Sequence, residues 1–311
     1  MIEKNKNKQI NMKKRGDLIF FWSLLAWPLA FLAVFYFYVN INSFVLMFQR
    51  YDVDTRTYYF GDIFYNFKRF FSEFSASNEI PMGLLRGAIG YIYSLIISTP
   101  ITLYFSFVIY KKVPCHKFFK IMLYAPSVIS STVWVLLYTQ SMDTLVPEVY
   151  KMLTGESMKG LLSNPKTSFI ILLYFGTWSS AGGGTLLYIS SMSAIPEEQV
   201  EAMAMDGAGK LREFVHLIIP HIWPIYSLFL FTGISSLITN DLNLYTFFEA
   251  GSAPENLRTF GYWLMVRKVR ASQNVFDLPY IAAIGLFQSA ICIPIMFITK
   301  KLCEKFGPSE D

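Results

Sequence analysis

The amino-acid sequence predicts an all-α, polytopic membrane protein with about six transmembrane helices. Two features of the composition lead to this prediction: 53% of the 311 residues are hydrophobic and only 16% are charged, whereas soluble proteins carry about 25% charged residues. The third observation is that the charges leave six long stretches free of Asp, Glu, Lys and Arg. A soluble core helix rarely needs such a stretch, because its outer face meets water.

Each of the six stretches reaches the roughly 20 residues that a helix needs to cross the hydrocarbon at 1.5 Å per residue. The predicted spans are residues 18–48, 87–110, 121–142, 167–193, 214–240 and 278–299. No low-complexity linker or internal repeat is evident, so we interpret residues 1–311 as one transmembrane domain. The basic segment before the first span is typical of a signal peptide, but the apolar stretch exceeds an h-region of about 7–15 residues. We therefore expect the first apolar stretch to remain in the protein as a membrane-spanning helix.

The Lys and Arg residues of the short connections predict the orientation of the spans. The N-terminal tail, the link between the second and third spans, and the C-terminus are basic with few acids. An even number of spans puts all three on one side, which we expect to be the cytoplasm. Three cations oppose this orientation, because Arg267, Lys268 and Arg270 lie between the fifth and sixth spans, on the expected outer side.

The sequence carries no pattern typical of a metal site or of ATP hydrolysis. The three cysteines and three histidines lack metal-ligand spacing. A phosphate-binding loop is also absent, because Gly209 and Lys210 lack the upstream glycine, and Leu211 stands where Ser or Thr is needed. We therefore expect no catalytic residue, no metal, no cofactor bound by this chain and no nucleic-acid partner.

The stretch from Ala194 to Pro224 is the most informative, because it inserts charges between two hydrophobic spans. Pro196 suits the first position of a helix, and the two glutamates after it complement the positive helix N-terminus. Val200, Met203 and Ala204 recur at helical spacing, which predicts that they share one face. A short charged helix is therefore expected to begin near Pro196.

Gly207 predicts the end of this helix, since glycine readily takes the left-handed conformation that terminates helices. A second short helix is expected from about Lys210 into the fifth span. Residues 196–213 would then form a helix, a tight turn and a second helix at the cytoplasmic membrane surface. The residues alone leave two interpretations open: a surface that binds a groove on another protein, or an interfacial helix that only anchors the spans.

One motif in this stretch resembles the EAA motif of the permeases of binding-protein-dependent ABC importers. There, Glu-Ala-Ala is followed by Gly after three residues and by Ile-x-Leu-Pro after nine more, and the spacing here matches. Met203 replaces an alanine, and Leu and Ile are exchanged before the proline. The matching residues are Glu201, Ala202, Met203, Gly207, Leu217, Ile219 and Pro220. Asp206 and Ala208, with Ile195 and Pro196 ahead of the motif, resemble its carbohydrate-type (maltose-type) branch.

The resemblance implies a type I ABC importer permease fold in which residues 196–213 are the cytoplasmic coupling helix region. It implies that Glu201 pairs with a basic group on an ATP-binding subunit or caps the neighbouring turn. Gly207 would form the turn, and Asp206 and Ala208 would fill the rest of the contact. Ala202, Met203 and Pro220 match further motif positions of this coupling site.

The resemblance also implies the partners and the function. We expect a heterodimer with a second permease chain, two ATP-binding subunits that use ATP and Mg, and an extracellular sugar-binding protein. The expected function is the import of a sugar or oligosaccharide across the bacterial cell membrane. The alternatives are an ion-coupled secondary transporter, which would usually need ionisable residues inside the bilayer, and an ABC importer permease for a non-sugar solute.

Sugars bind through hydroxyl hydrogen bonds and through stacking on aromatic faces, so polar and aromatic residues within or beside the spans are candidates for the substrate pathway. One group lies beside a run of three glycines in the fourth span, and the other lies near the outer end of the fifth. The candidates are Trp178, Ser179, Ser180, Asn240, Asn243 and Tyr245. The glycine run has the alternative interpretation of close helix packing by small residues.

Overall fold

The structure is a computed structural model that describes residues 2–248 and 251–308. The predicted domain also includes residues 1, 249–250 and 309–311, which lie outside the described residues. The chain divides into two compact units. The first comprises residues 1–69 and 274–286, and the second comprises residues 70–273 and 287–311.

The first unit begins with a long apolar helical segment and continues into a β-hairpin. The helical segment consists of α1 (Ile2–Phe31), a π-helical turn (Leu32–Tyr38) and α2 (Val39–Leu46). In the hairpin, β1 (Gln49–Asp52) pairs antiparallel with β2 (Thr57–Phe60). The rings of Tyr51 and Tyr58 face each other across the strands at 5.2 Å, a type of pair that stabilises sheets. The all-α expectation did not include this hairpin, because aromatic residues in a short loop give only a weak strand signal.

The remaining elements are helical. They are α3 (Tyr65–Ala76), α4 (Glu79–Tyr93), α5 (Thr99–Tyr110), α6 (His116–Val128), α7 (Ser131–Gln140), α8 (Val146–Thr154), α9 (Ser168–Ser193), α10 (Glu197–Met205), α11 (Lys210–Glu213), α12 (Ile219–Gly233), α13 (Ser236–Thr239), α14 (Leu244–Phe248), α15 (Phe260–Gln273) and α16 (Leu278–Phe306).

Among the described residues, five helical segments are long and apolar enough to span a membrane. They are Leu18–Leu46, Glu79–Tyr110, Ser168–Ser193, Lys210–Gly233 and Val275–Phe306. A sixth candidate is the pair His116–Pro126 and Ser131–Thr154, which meet at an angle of 105°. The predicted span 121–142 is therefore interrupted rather than straight, because Ile129 and Ser130 have extended backbones between α6 and α7. The chain is a multi-pass membrane protein with five or six spans.

Three π-helical turns each end two residues before a proline. They are Ser94–Ser98 before Pro100, Ser141–Leu145 before Pro147, and Phe214–Ile218 before Pro220. Proline has no backbone N–H, and its ring clashes with the carbonyl four residues earlier in a regular helix. A turn widened by one residue relieves this clash. Two spans, Glu79–Tyr110 and Lys210–Gly233, therefore continue past their prolines instead of breaking there.

The three cations that opposed the predicted orientation lie on α15, which is folded within the second unit. Arg267 forms an ion pair with Glu73 at 2.9 Å, and its guanidinium lies 4.3 Å from the centre of the Trp263 ring. Lys268 and Arg270 are exposed on the same helix. The opposing charges thus belong to a structured helix and not to an extended loop, and the cytoplasmic position of the termini stays a prediction.

Candidate functional site

Residues 196–213, called the elbow from here on, form the predicted helix, turn and second helix. Pro196 is the residue just before α10, not its first residue. Gly207 has a φ of +73°, and the N–H of Ala208 donates to the carbonyl of Met203 at 3.1 Å, which closes the turn after α10. Glycine meets no Cβ penalty in this left-handed conformation. The turn between α10 and α11 therefore depends on the conformation of Gly207.

One face of the elbow packs on other helices of the second unit. Val200 and Met203 contact a buried apolar cluster, whereas Ala204, predicted on the same face, is exposed. The buried members of the cluster are Tyr188, Met192, Ile195, Leu217, Ile218 and Ile222. Burial of these side chains holds α10 against the ends of α9 and α12.

The end of α11 is fixed by a buried ion pair. Glu213 is 9% exposed and its carboxylate contacts the ammonium of Lys111, the residue after α5. The contact is an ion pair and not an aligned hydrogen bond. Beside it, the rings of Phe107 and Phe214 lie 5.0 Å apart. The elbow is thereby tied to the end of the second span by a charge contact and an aromatic contact.

The opposite face of the elbow combines acidic and apolar side chains in an exposed position. Glu201, Ala202 and Asp206 are exposed, and the side chains of Met205 and Leu211 are 88% and 77% exposed. Interfacial anchor helices favour Lys and Arg beside their apolar face, because membrane surfaces are anionic. In α10 the exposed Met205 has carboxylates and no basic residue beside it, which suits a protein groove that contains basic residues, whereas Leu211 in α11 lies between the exposed Lys210 and Arg212.

The predicted coupling residues therefore occupy three different environments. Glu201, Ala202, Asp206 and Gly207 form the exposed face and its turn. Met203 and Ala208 are half-buried. Pro220 lies in α12, directly after the π-helical turn that joins the elbow to the fifth span. The coupling role of all seven residues stays a prediction.

We expect Pro220→Ala to reduce transport about fivefold or more while the protein stays in the membrane. Alanine restores the N–H and removes the ring clash, so the turn Phe214–Ile218 can relax to a regular helix. When the wide turn relaxes, the helix register before it shifts by one residue, which rotates the elbow by about 100° about the axis of α12. The measurement is uptake normalised to the amount of protein in the membrane. Pro224→Ala is the control, because Pro224 lies in the interior of α12 and not at the end of the turn Phe214–Ile218. Uptake by the Pro220 variant equal to that of the control would contradict the prediction.

A second feature of the second unit is a cavity of about 230 Å³ between the spans. Nine of its fourteen lining residues carry hydroxyl groups. These are Tyr91, Ser94, Ser98, Thr99, Thr102, Ser180, Tyr188, Tyr226 and Ser236. Phe229 also lines it, and its ring lies 5.6 Å from that of Tyr188. The cavity therefore combines hydroxyl groups with aromatic rings.

Several of these hydroxyls are held by hydrogen bonds to backbone carbonyls. Thr102 donates to the carbonyl of Ser98 at 2.8 Å, and Ser180 donates to that of Gly176 at 2.7 Å. The hydroxyl of Tyr91 donates to the carbonyl of Leu230 at 2.7 Å. A hydroxyl that donates to the backbone keeps its lone pairs, so it can accept a hydrogen bond from a ligand. The cavity can thus bind a ligand that carries many hydroxyl groups.

Of the six predicted pathway residues, Ser180 is the one that lines this cavity. The Trp178 ring packs edge-on against Trp134 at 4.8 Å, and its N–H donates to the carbonyl of Met122. Ser179, on the same helix, donates to the carbonyl of Gly176 at 3.3 Å.

The other three candidates lie at the turn between α13 and α14. There the side chain of Asn240 accepts the N–H of Leu242 at 2.8 Å, and the N–H groups of Asn243 and Tyr245 both donate to Asp241. These bonds stabilise the turn, in which Leu242 and Asn243 both have positive φ. A substrate role for these residues and for Trp178 and Ser179 stays a prediction.

The sequence does contain a signal for the cavity residues that were missed. In the second span, hydroxyl residues recur at helical spacing at Tyr91, Ser94, Ser98 and Thr102. Residues three, four or seven positions apart lie on one side of a helix. A stripe of hydroxyls along an apolar span therefore predicts a polar surface inside the membrane.

The membrane spans and the helical elements that follow them have the fold of ABC importer permeases. The crystal structure of a bacterial ABC transporter involved in the import of the acidic polysaccharide alginate shares this fold, with a TM-score of 0.72 and 15% identity. The alignment covers 96% of this chain and 99% of that one. A second structure of a bacterial alginate ABC transporter, in complex with a periplasmic protein bound to an alginate pentasaccharide, also matches with a TM-score of 0.72.

Relatives in sequence include curated proteins of Bacillus subtilis. LplB is 27% identical over 177 residues, which cover 53% of this chain and 51% of LplB. The polygalacturonan/rhamnogalacturonan transport permease YteP is 25% identical over 198 residues, 61% of this chain and 59% of YteP. The arabinooligosaccharide transport permease AraP is 23% identical over 306 residues, 94% of each chain.

The chain thus spans between half and three-fifths of the length of the first two relatives. No family model matches the sequence. These relatives and the shared fold confirm the resemblance to carbohydrate-type ABC importer permeases. Together with the apolar spans, they identify a multi-pass bacterial membrane protein.

Proposed function

We propose that this chain is a permease subunit of an ATP-driven importer that carries a sugar or oligosaccharide into the cell. The observation that carries the proposal is the elbow, which is anchored on one face and presents carboxylates beside exposed apolar side chains on the other. Such a surface fits a groove on another protein. The hydroxyl-lined cavity supplies a path with the chemistry that sugars need.

The proposed assembly contains a second, different permease chain, two ATP-binding subunits and an extracellular sugar-binding protein. ATP and Mg bind to the ATP-binding subunits, and this chain contributes the docking surface. Glu201 and Asp206 offer carboxylates to basic groups of the ATP-binding subunit, and Gly207 sets the angle between the two elbow helices. The solved complex of an alginate transporter with its periplasmic protein supports the binding-protein part of the proposal.

Within this chain, the contacts give a route from the elbow to the cavity. Movement of α11 acts on the second span through the ion pair between Glu213 and Lys111. The same span contains the π-helical turn Ser94–Ser98, and three of its residues line the cavity. ATP binding would draw the elbows of the two permeases together and open the cavity to the outside, and hydrolysis would reset it.

The cavity argues against the ion-coupled alternative. Coupling to protons or ions usually requires ionisable residues at membrane depth. In the described part of the chain, the residues that line the cavity include no Asp, Glu, Lys, Arg or His. The energy for uptake is therefore assigned to ATP.

The test is sugar uptake by cells that carry the complete transporter, measured after ATP depletion and, separately, after addition of an uncoupler that collapses the proton gradient while ATP is maintained. We expect ATP depletion to stop uptake and the uncoupler to leave most of it. A matched strain that lacks this chain corrects for other uptake routes. Uptake that survives ATP loss and stops with the uncoupler would favour the secondary transporter.

A further inference from the structure

We propose that the cargo group that occupies the cavity is uncharged, so that the transporter imports neutral and not acidic sugars. This inference rests on the proposed function and adds the substrate class. It separates this chain from the structure that shares its fold, since that transporter is involved in the import of an acidic polysaccharide.

The first argument is the absence of a counter-charge. The described lining residues include no Lys, Arg or His, and the three spans and the short helix α13 that supply them carry no charge at the level of the cavity. A carboxylate or phosphate that leaves water for such a site loses its hydration, and that cost is large unless a cation and hydrogen bonds replace it. Proteins that bind these anions generally supply Arg or Lys for this reason.

The second argument is what the lining offers in place of charge. The Ser and Thr hydroxyls of α5 and α9 accept hydrogen bonds, and the rings of Tyr188, Tyr226 and Phe229 provide apolar surfaces. A neutral sugar ring has hydroxyl groups on its edge and C–H groups on its face, which match these two kinds of surface. Ser94 and Ser98, the first and last residues of the π-helical turn, add two more hydroxyls to the cavity.

Ser180 allows a direct test of the sign of the cargo charge. It is exposed towards the cavity, and its hydroxyl bonds within its own helix, so a longer side chain has room there. Three variants, S180Q, S180E and S180K, introduce groups of similar length that are neutral, negative and positive. S180Q measures the effect of size alone.

For a neutral cargo, we expect S180E and S180K to reduce uptake of the natural substrate to a similar extent, within about threefold of each other and well below S180Q. For an anionic cargo, S180K would exceed S180E by about tenfold or more, because attraction and repulsion act in opposite directions. An excess of that size would overturn the inference.

A second experiment needs no variant, so it decides the question even if all three Ser180 changes impair folding. Cells with the complete transporter are offered labelled neutral oligosaccharides and labelled uronic-acid oligosaccharides of equal length. We expect ATP-dependent uptake of neutral members alone. ATP-dependent uptake of the acidic members would overturn this inference and leave the proposed function standing. If neither class is taken up in an ATP-dependent manner, both proposals fail.

Discussion

From the geometry of the elbow we expect that replacing Gly207 by valine will abolish transport, whereas the same change at Gly209 will leave uptake within about twofold of wild type. Gly207 has a φ of +73° and Gly209 a φ of −68°. A Cβ at either position would have no neighbouring atom within 4 Å. The two sites therefore differ in backbone conformation and not in available space.

The left-handed conformation costs an ordinary residue about 1–2 kcal/mol, and a β-branched residue more. Valine at position 207 would shift the turn towards a right-handed or extended conformation, which changes the direction of α11 relative to α10. The elbow is exposed here, so the spans remain folded. Transport would fall because the carboxylates of the elbow no longer meet their partner, while the amount of protein in the membrane stays the same.

The measurement is uptake per amount of membrane-inserted protein, with co-purification of the ATP-binding subunit as a second readout. We expect Gly207→Asn to retain more activity than the valine variant, because asparagine tolerates the left-handed conformation better than most residues. Normal uptake by the valine variant, with the ATP-binding subunit still attached, would show that the turn conformation is not needed for coupling.

The features that the sequence predicted correctly depend on local chemistry. The uncharged stretches locate the spans because hydrocarbon excludes charge over a fixed thickness. The elbow was predictable for a similar reason, since Gly207 carries its own conformational preference into the structure. The predicted second helix begins at Lys210, as the structure has it.

The features that the sequence did not reveal depend on contacts between distant segments or on small changes of helix geometry. The third span was predicted as one uninterrupted stretch, residues 121–142, and the break at Ile129 and Ser130 carries no Gly or Pro of its own. The π-helical turns shift a helix by one residue, and the absence of charge, from which the spans were predicted, does not record such a shift. The cavity gathers Tyr91, Ser180 and Tyr226 from three different helices, so its composition follows from packing.

The pair of Lys111 and Glu213 shows the same division between local and tertiary information. In the sequence, Lys111 is one of several cations that indicate the cytoplasmic side, and Glu213 is one of several charges in the elbow. The structure joins them, with the two side chains 22% and 11% exposed. Removing one partner of a buried ion pair typically costs about 3–5 kcal/mol, because the other charge stays buried without compensation.

We therefore expect Lys111→Ala and Glu213→Ala each to lower the midpoint of thermal unfolding of the purified transporter and to reduce uptake about tenfold or more. Lys112→Ala, at the exposed neighbouring position, is the matched control and should behave as wild type. The double variant Lys111→Met with Glu213→Leu should recover most of the lost thermal stability, because it removes both charges together.

Uptake by this double variant then separates two roles of the pair. If the ion pair only stabilises the fold, uptake recovers together with the unfolding midpoint. The contact route to the cavity requires that the ion pair also transmits movement from α11 to the second span. In that case uptake stays low while ATP hydrolysis by the assembled complex continues. The reason is that an apolar contact fixes the relative direction of two helices less well than a charge contact does. Full recovery of uptake in the double variant would remove the ion pair from that route and leave the contact between Phe107 and Phe214 as the remaining link.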